Sequence, residues 1–512
     1  MENHDTREGL ARPQPVPDAS GVTRAISWMA AAQILGQATS FVSVMALGAL
    51  LPPSAFGTVT AGVVLVWVAT LLMGAGTWGS IVSTPGIGAR DARGALALNV
   101  ANGVVLAAAM VVVAEPMIRN FAKGGDPNVV RALSVSLVLY SLSIVPTALL
   151  QKRMRFKPYA IAVVAAITIS SVTAVGAAVL GAGVWALVLR LVLYHAILTV
   201  LIWWTARDLL SGLRRRAGAD QPVPAVRRGG WSFFVLSAAT LVAFNADYLV
   251  VGRLTDTTEL GTYALAFTLS FVPLRQFAWQ IGGVFLATSA ASAATADPER
   301  VGRQMVRALR MTAVLLLPVV PPAVAVAPWL PRFLGPEWIG MVVPFQVLFS
   351  VGVGHALLNV IGEFLAGSGS VGFRARVSVV WAIGMVVALV LLVPAFGIRG
   401  AAAAHALLFV PLAVIYVFRG SRHLGLSGGR VLMHLKPVVV PVAVQGLVTT
   451  GLAGALVTGG ISSHFAGVLA GGVGLAVVTV MLLRAQPSAL KEALSIAGGV
   501  LARRPTASTA AS

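Results

Sequence analysis

The chain has 512 residues, of which 57% are hydrophobic and only 11% charged, a balance that excludes a soluble globular protein and marks a polytopic membrane protein. Its formal net charge of +20 is spread over short loops instead of one contiguous patch, which argues against a nucleic-acid partner. Cysteine is absent, so the chain has no disulfide frame, thiolate nucleophile or cysteine metal site.

Residues 1–24 are polar and dotted with Pro13, Pro15 and Pro17, lack the short apolar core of a signal peptide, and read as a disordered cytoplasmic tail. Apolar runs of about 20 residues then recur, each able at about 1.5 Å per residue to cross a hydrocarbon layer of about 30 Å. The alternation over about ten residues that a β-barrel requires is missing. The first six spans run Ala25–Leu51, Gly57–Val82, Ala95–Ala114, Val129–Leu150, Ala160–Leu180 and Val184–Trp204. Residues 206–230 break the pattern with Arg207, Arg214, Arg215, Arg216, Arg227 and Arg228 against Asp208 and Asp220. So many guanidinium groups must lie in water beside the membrane, on the cytoplasmic side by the positive-inside bias.

Six more spans follow: Trp231–Val251, Gly261–Ala290, Gln304–Leu330, Met341–Ala366, Val377–Pro394 and Gly400–Phe418. Leu435–Val457 and Phe465–Leu483 complete fourteen, which is equally a twelve-span core with two peripheral helices. With both termini inside, cytoplasmic segments carry 29 of the 37 Lys and Arg residues and exterior loops carry 6. This count assigns Arg131, Arg307, Arg310 and Lys436, near the span ends, to the adjoining loops; the other two, Arg190 and Arg275, are counted within spans. Residues 484–512 form a second cytoplasmic tail, in which Leu490, Leu494, Ala497 and Leu501 stand at helical spacing, fitting either a surface-lying helix or a solvated segment.

Gly48, Leu50, Gly57 and Thr58 recur as Gly252, Leu254, Gly261 and Thr262 at a constant offset of 204 residues (252 minus 48, 262 minus 58). Both sets span the first exterior turn of their half of the chain. Six intervening spans leave the two halves in the same orientation, as parallel repeats about an axis along the membrane normal. The expected fold is therefore all-α, with about fourteen transmembrane helices. Two six-helix lobes, residues 25–205 and 231–418, are followed by two C-terminal helices within residues 435–483.

Four loop segments carry a family likeness: Leu150–Tyr159 (LQKRMRFKPY), Leu260–Ala266 (LGTYALA), Phe333–Trp338 (FLGPEW) and Phe396–Ala402 (FGIRGAA). In this order and on this topology, the chain resembles the polysaccharide-exporter flippases of the oligosaccharidyl-lipid branch of the multidrug/oligosaccharidyl-lipid/polysaccharide superfamily. The likeness covers about Ala25 to Arg422. It implies a polar cavity between two rocking lobes, a bacterial plasma membrane, and undecaprenyl-diphosphate-linked oligosaccharide as substrate, handled by alternating access. Membrane lipids, a polysaccharide polymerase and glycosyltransferases are the partners it implies. One departure stands out: members of this group usually carry a proline where this chain reads VFLATS at Val284–Ser289.

Charged groups near mid-membrane are costly, by about 2.5 to 3.5 kcal/mol on insertion scales, and normally face protein or a water-filled cavity. Arg275 is the deepest, about 21 Å into its span at about 1.5 Å per residue and just after Pro273. A guanidinium there suits a diphosphate through charge-assisted, bidentate hydrogen bonds, or else an interhelical ion pair. Trp279, one turn on, beside the row Gln276 and Gln280, suits a sugar ring or plain packing. Arg190, one turn from Tyr194, either faces the cavity or snorkels outward. Gln33, Gln37 and Ser40 line one stripe of the first span, as ligand groups or as interhelical glue.

For coupling to an ion or proton, His355, Asn359 and Glu363 follow one another at four-residue steps in span ten. Glu363 has Arg374 and Arg376 as alternative partners. Asp247, beside Asn245, is a second cation or proton candidate, or pairs with Arg253. No Walker loop, metal-ligand cluster or Ser, His and Asp set is present, and the exterior loops are short, so neither cofactor nor catalysis is expected. Span nine holds Pro318, Pro321, Pro322 and Pro328, which break its course. The competing functions are a cation-coupled antiporter of the same superfamily and a membrane glycosyltransferase or polymerase.

Overall fold

The computed structural model describes residues 19–83, 89–153, 155–210, 230–293 and 298–485. Most of the central arginine-rich segment and the sequence-derived C-terminal amphipathic stretch lie outside them. All the described regular elements are helical: α1 (Ala19–Leu50), α2 (Pro53–Ser83), α3 (Ala89–Phe121), α4 (Pro127–Lys152), α5 (Phe156–Val179) and α6 (Val184–Thr205), then α7 (Gly230–Leu254) and α8 (Thr257–Ala293). After them come α9 (Pro298–Leu316), α10 (Val342–Gly367), α11 (Val371–Val414), α12 (Gly428–Thr458) and α13 (Ser463–Ala485).

Among the described residues, eleven helical segments are long and apolar enough to cross a membrane. The difference from fourteen falls at three places. The described apolar part of α1 is confined to Ile34–Leu50, and α8 is not among the eleven. Residues Val371–His423 count once, although Gly397, at φ 56° and ψ −139°, breaks α11 between two of the sequence-derived spans. Glycine serves there because the left-handed region strains any residue with a Cβ. Large apolar side chains remain exposed along the helices, Val105 and Val112 on α3 and Val172 on α5 among them, as a hydrocarbon solvent permits.

The chain divides into two compact units, one formed by Met1–Leu47, Ala61–Arg119 and Gly124–Phe234, the other by Gly48–Thr60, Asn120–Lys123 and Val235–Ser512. In the first, α4 begins with Pro127 in its first turn and Asp126 as N-cap, whose carboxylate accepts from Asn128 N at 2.8 Å. Pro146 inside α4 has no N–H for the carbonyl of Leu142, four residues earlier; Trp203 Nε1 of α6 donates to that oxygen at 3.0 Å. Thr199 Oγ1, one turn away on α6, donates to Leu139 O at 2.8 Å. Outside the spans, Arg155 pairs with Asp208 at 2.7 Å, and its hydrogen bond holds that carboxyl below its ordinary range.

The second unit handles its prolines in the same way. Beyond α9 the chain continues through short helical pieces, Leu317–Val319, Val320–Val326, Ala327–Trp329 and Leu330–Leu334. Pro322 frees the carbonyl of Pro318, and Gln445 Nε2 of α12 donates to it at 2.8 Å. Pro328 frees the carbonyl of Val324, and Gln346 Nε2 of α10 donates to it at 2.9 Å. In hydrocarbon an unpaired carbonyl has no water to turn to, so each glutamine answers a specific vacancy in the helix ladder.

The repeat glycines also meet in this unit. A Cβ on Gly57 would collide with the carbonyl of Thr257, and one on Gly261 with the carbonyl of Pro53. Pro53 and Gly57 map onto Thr257 and Gly261 at the repeat offset of 204 (257 minus 53, 261 minus 57), so the first turns of α2 and α8 approach backbone to backbone with local two-fold symmetry. Gly252, equivalent to Gly48, lets the end of α7 approach the carbonyl of Phe121, and Thr257 Oγ1 donates to Lys123 O.

Candidate functional site

Three polar clusters stand in the otherwise apolar helices. The first lies in the second unit, where α7, α8 and α11 bring Asp247, Tyr263 and His405 together, all three fully buried. Asp247 Oδ2 lies 3.2 Å from His405 Nε2 and accepts from Tyr263 Oη at 2.8 Å, while Oδ1 accepts from Tyr248 N at 2.9 Å. The Tyr263 hydroxyl and the Tyr248 N–H both donate to the carboxylate, one to each oxygen. On the other side of the ring, His405 Nδ1 is buried without a hydrogen-bond partner among the described residues.

His355 of α10 sits beside this cluster, not with Glu363. Its ring packs against Phe244, Phe271, Trp381 and Phe409, at centroid distances of 5.0 to 5.5 Å, and its Nε2 is buried without a partner among the described residues. Arg275 of α8 reaches the same aromatic group, with Cζ 5.8 Å from the centroid of Phe244. It makes no salt bridge with any described residue. Asp247 is engaged by His405 and Tyr263 instead of Arg253, which is exposed.

The second cluster takes the rest of the span-ten row. Arg374 at the start of α11 bonds Glu363 Oε1 at 3.0 Å, Asn359 Oδ1 at 3.1 Å and the carbonyl of Gly362 at 3.2 Å. Asn359 Nδ2 donates to Ala278 O of α8 at 3.2 Å, and Ser289 Oγ of α8 donates to Phe364 O at 2.7 Å. Gly282 makes this approach possible, since a Cβ there would lie 3.1 Å from Glu363 Cγ. Glu363 and Asn359 thus tie α8, α10 and α11 together through one guanidinium, while His355 belongs to the other cluster.

The third cluster is in the first unit. Arg190 Nη2 of α6 donates to Ser40 Oγ of α1 at 2.7 Å, and its Nε is buried without a partner among the described residues. Tyr194 and Tyr140 stand edge-on to His195 one turn further along. Gln37 is half-buried on α1, one turn before Ser40. Gln276, Trp279 and Gln280 lie on α8 after Arg275, and Gln33 on α1; the side chains of all four fall outside those described.

His405 was not singled out by sequence, although a histidine in the run AAAAHALL was its visible signal. Tyr263 stands inside the LGTYALA motif without having been given a role.

A family model described as polysaccharide biosynthesis protein matches residues 46–343, more than half of the chain. The chain belongs to this polysaccharide biosynthesis family. The succinoglycan biosynthesis transport protein ExoT of Rhizobium meliloti (strain 1021) is 24% identical over 313 residues, 60% of this chain and 61% of that protein, so the match spans less than two thirds of its length. In fold, this polysaccharide biosynthesis protein is similar to the lipid II flippase MurJ in an inward closed conformation, at TM-score 0.67 and 11% identity over 92% of this chain and 99% of the other. A transporter of the MOP superfamily from Pyrococcus furiosus Vc1 (DSM3638) gives TM-score 0.55 and 16% identity over 78% of this chain and 96% of its own. A MATE family multidrug transporter of the same superfamily, inward-facing, gives TM-score 0.51 and 14% identity over 79% and 94%. At these identities the structural likeness speaks for the fold.

Proposed function

We propose that the chain flips a lipid-linked oligosaccharide from the cytoplasmic to the external leaflet of a bacterial plasma membrane, by alternating access, for polysaccharide biosynthesis. Both termini are cytoplasmic in this reading, and the lipid carrier is undecaprenyl diphosphate. In the second unit Arg275 is assigned to the diphosphate, with Trp279, Gln276 and Gln280 after it on α8 for the sugars; in the first unit Arg190, Gln33 and Gln37 are the candidate cargo contacts. The observation that carries the reading is that Arg275 and Arg190 stand in membrane-spanning helices with no carboxylate bound to either among the described residues. Asp247 lends Arg275 electrostatic support without binding it, and an anionic ligand would offset the rest of the desolvation of both guanidinium groups.

The family, the transport protein among its relatives and the flippase fold support the substrate class. A cation antiporter would gain nothing from two buried guanidinium groups to which no described carboxylate is directly bound. The short exterior loops leave no room for a glycosyltransferase or polymerase domain outside the membrane, so the protein acts as a transporter and not as an enzyme. A partner polymerase and glycosyltransferases would act before and after the flip.

Export is energised in this reading by a proton held at Asp247 and His405, with His355 as the adjoining titratable ring. Glu363 and Asn359 clamp the helices through Arg374. Arg275→Ala should cut polysaccharide export by roughly tenfold or more while the protein accumulates in the membrane at the parental level, and Arg275→Lys should restore part of it, returning charge without the planar fork. Normal export by Arg275→Ala would remove this residue as the headgroup anchor.

A further inference from the structure

A second basic site lies apart from these clusters, at the end of α9 and α12 that the charge asymmetry assigns to the cytoplasm. α9 opens as an amphipathic helix: Met305, Ala308 and Leu309 are buried, while Arg303, Arg307 and Arg310 recur at i, i+4 and i+7 along one side. α12 adds Arg430 and His434 one turn apart. Together these five side chains line a cavity of about 400 Å³, with Val306 and Leu426 as apolar surface and no acidic residue among its described lining.

The cavity is built by specific packing. Gly302 lets the turn before α12 sit directly on α9, since a Cβ there would lie 2.8 Å from Leu424 O and 2.8 Å from Leu426 Cγ. Ser427 caps α12 by accepting from Arg430 N at 3.4 Å. His434 Nδ1 donates to the carbonyl of Arg430 at 2.7 Å, which leaves Nε2 as its free ring nitrogen. Arg310, deepest along α9, has its Nε buried with no hydrogen-bond partner among the described residues. A buried guanidinium donor left unpaired near Arg430 and His434 calls for an anion.

We propose that this cavity binds the phosphate groups of a membrane lipid at the cytoplasmic surface. Phosphate matches the donor set, because guanidinium forks bind its oxygens in pairs. A lipid matches the position, since basic recesses between transmembrane helices at this level receive anionic headgroups while the apolar wall accepts the first methylenes. Two lipids share this chemistry: an anionic phospholipid such as cardiolipin, and a polyprenyl diphosphate. The second source rests on the transport reading above; the first does not.

The test measures binding of fluorescent lipids to the purified full-length protein. It uses cardiolipin, a polyprenyl diphosphate and phosphatidylcholine, with wild type, an Arg307→Gln, Arg310→Gln, Arg430→Gln triple variant, and Arg275→Ala. Wild type should prefer at least one phosphate-rich lipid over phosphatidylcholine. The triple variant should lose at least about tenfold in affinity for that lipid, and added salt should weaken the wild-type affinity. Loss confined to cardiolipin identifies a structural lipid, and loss confined to polyprenyl diphosphate identifies a loading site for cargo. If polyprenyl diphosphate binding falls in Arg275→Ala and not in the triple variant, cargo is held at Arg275 alone and the cavity serves the phospholipid. Equal binding of all three lipids by wild type, or undiminished binding by the triple variant, overturns the proposal. Should the triple variant fail to accumulate, inorganic diphosphate must displace the preferred lipid from wild type; no displacement overturns it equally.

Discussion

A guanidinium in hydrocarbon is tolerated only when something offsets its charge, and the three transmembrane arginine sites differ in what does so. Arg374 has Glu363, Asn359 and a carbonyl, and is a complete structural node. Arg190 has a single hydroxyl and a spare buried Nε, and Arg275 has an aromatic face and the charge of Asp247 within electrostatic reach but not bound to it. The last two are the ones left for a ligand. The same logic separates the acids. Glu363 is the counter-charge of Arg374, so Glu363→Gln should lower thermal stability, toward the lower end of the about 3–5 kcal/mol typical of a broken buried pair, and leave any proton dependence of transport in place. Asp247 is paired with an imidazole instead. His405→Gln preserves a hydrogen-bond donor toward Asp247 and cannot be protonated, so transport by this variant should no longer respond to an imposed proton gradient. Full gradient dependence in His405→Gln would place coupling elsewhere. Sequence spacing put His355, Asn359 and Glu363 on one helix face, but a four-residue step turns slowly around the helix, and at these depths different neighbours claim each residue. The decisive partner, His405, lies 158 residues from Asp247, beyond the reach of local pattern.

At the scale of elements, the prolines explain why certain polar residues are buried. Gln445 is fully buried and Gln346 half-buried, and each donates to a carbonyl that a proline four residues later has released. Gln445→Leu should therefore cost about 1–3 kcal/mol of stability by leaving Pro318 O unpaired. Combining it with Pro322→Ala, which returns an N–H to that carbonyl, should recover part of the loss in a thermal-unfolding series. If the double variant is as unstable as the sum of the two single changes, the glutamine has some other structural role. The broken course of span nine was legible from Pro318, Pro321, Pro322 and Pro328. The compensating amides were not, because nothing local marks a glutamine as the partner of a carbonyl on another helix. The turn at Gly397, by contrast, stands in the open within FGIRGAA.

For the molecule as a whole, the membrane class, the helix order and the repeat followed from apolar run lengths, loop charges and one recurring glycine pattern. The pattern gains a physical cause in the fold, since Gly57 and Gly261 occupy equivalent places in a backbone contact that no Cβ would permit. What spacing could not supply is which polar groups remain unsatisfied after folding, and the proposed function rests on those. The most direct measurement is the initial rate at which a fluorescent polyprenyl-diphosphate saccharide crosses the bilayer of proteoliposomes containing the full-length protein or its Arg275→Ala variant. Wild type should move it, and the variant should be slower by roughly 10- to 100-fold, as expected for losing a charged hydrogen bond of about 1.5–3 kcal/mol. Equal rates in the two preparations, or no movement by wild type with a proton gradient imposed, would contradict the assignment of Arg275 and the transport reading built on it.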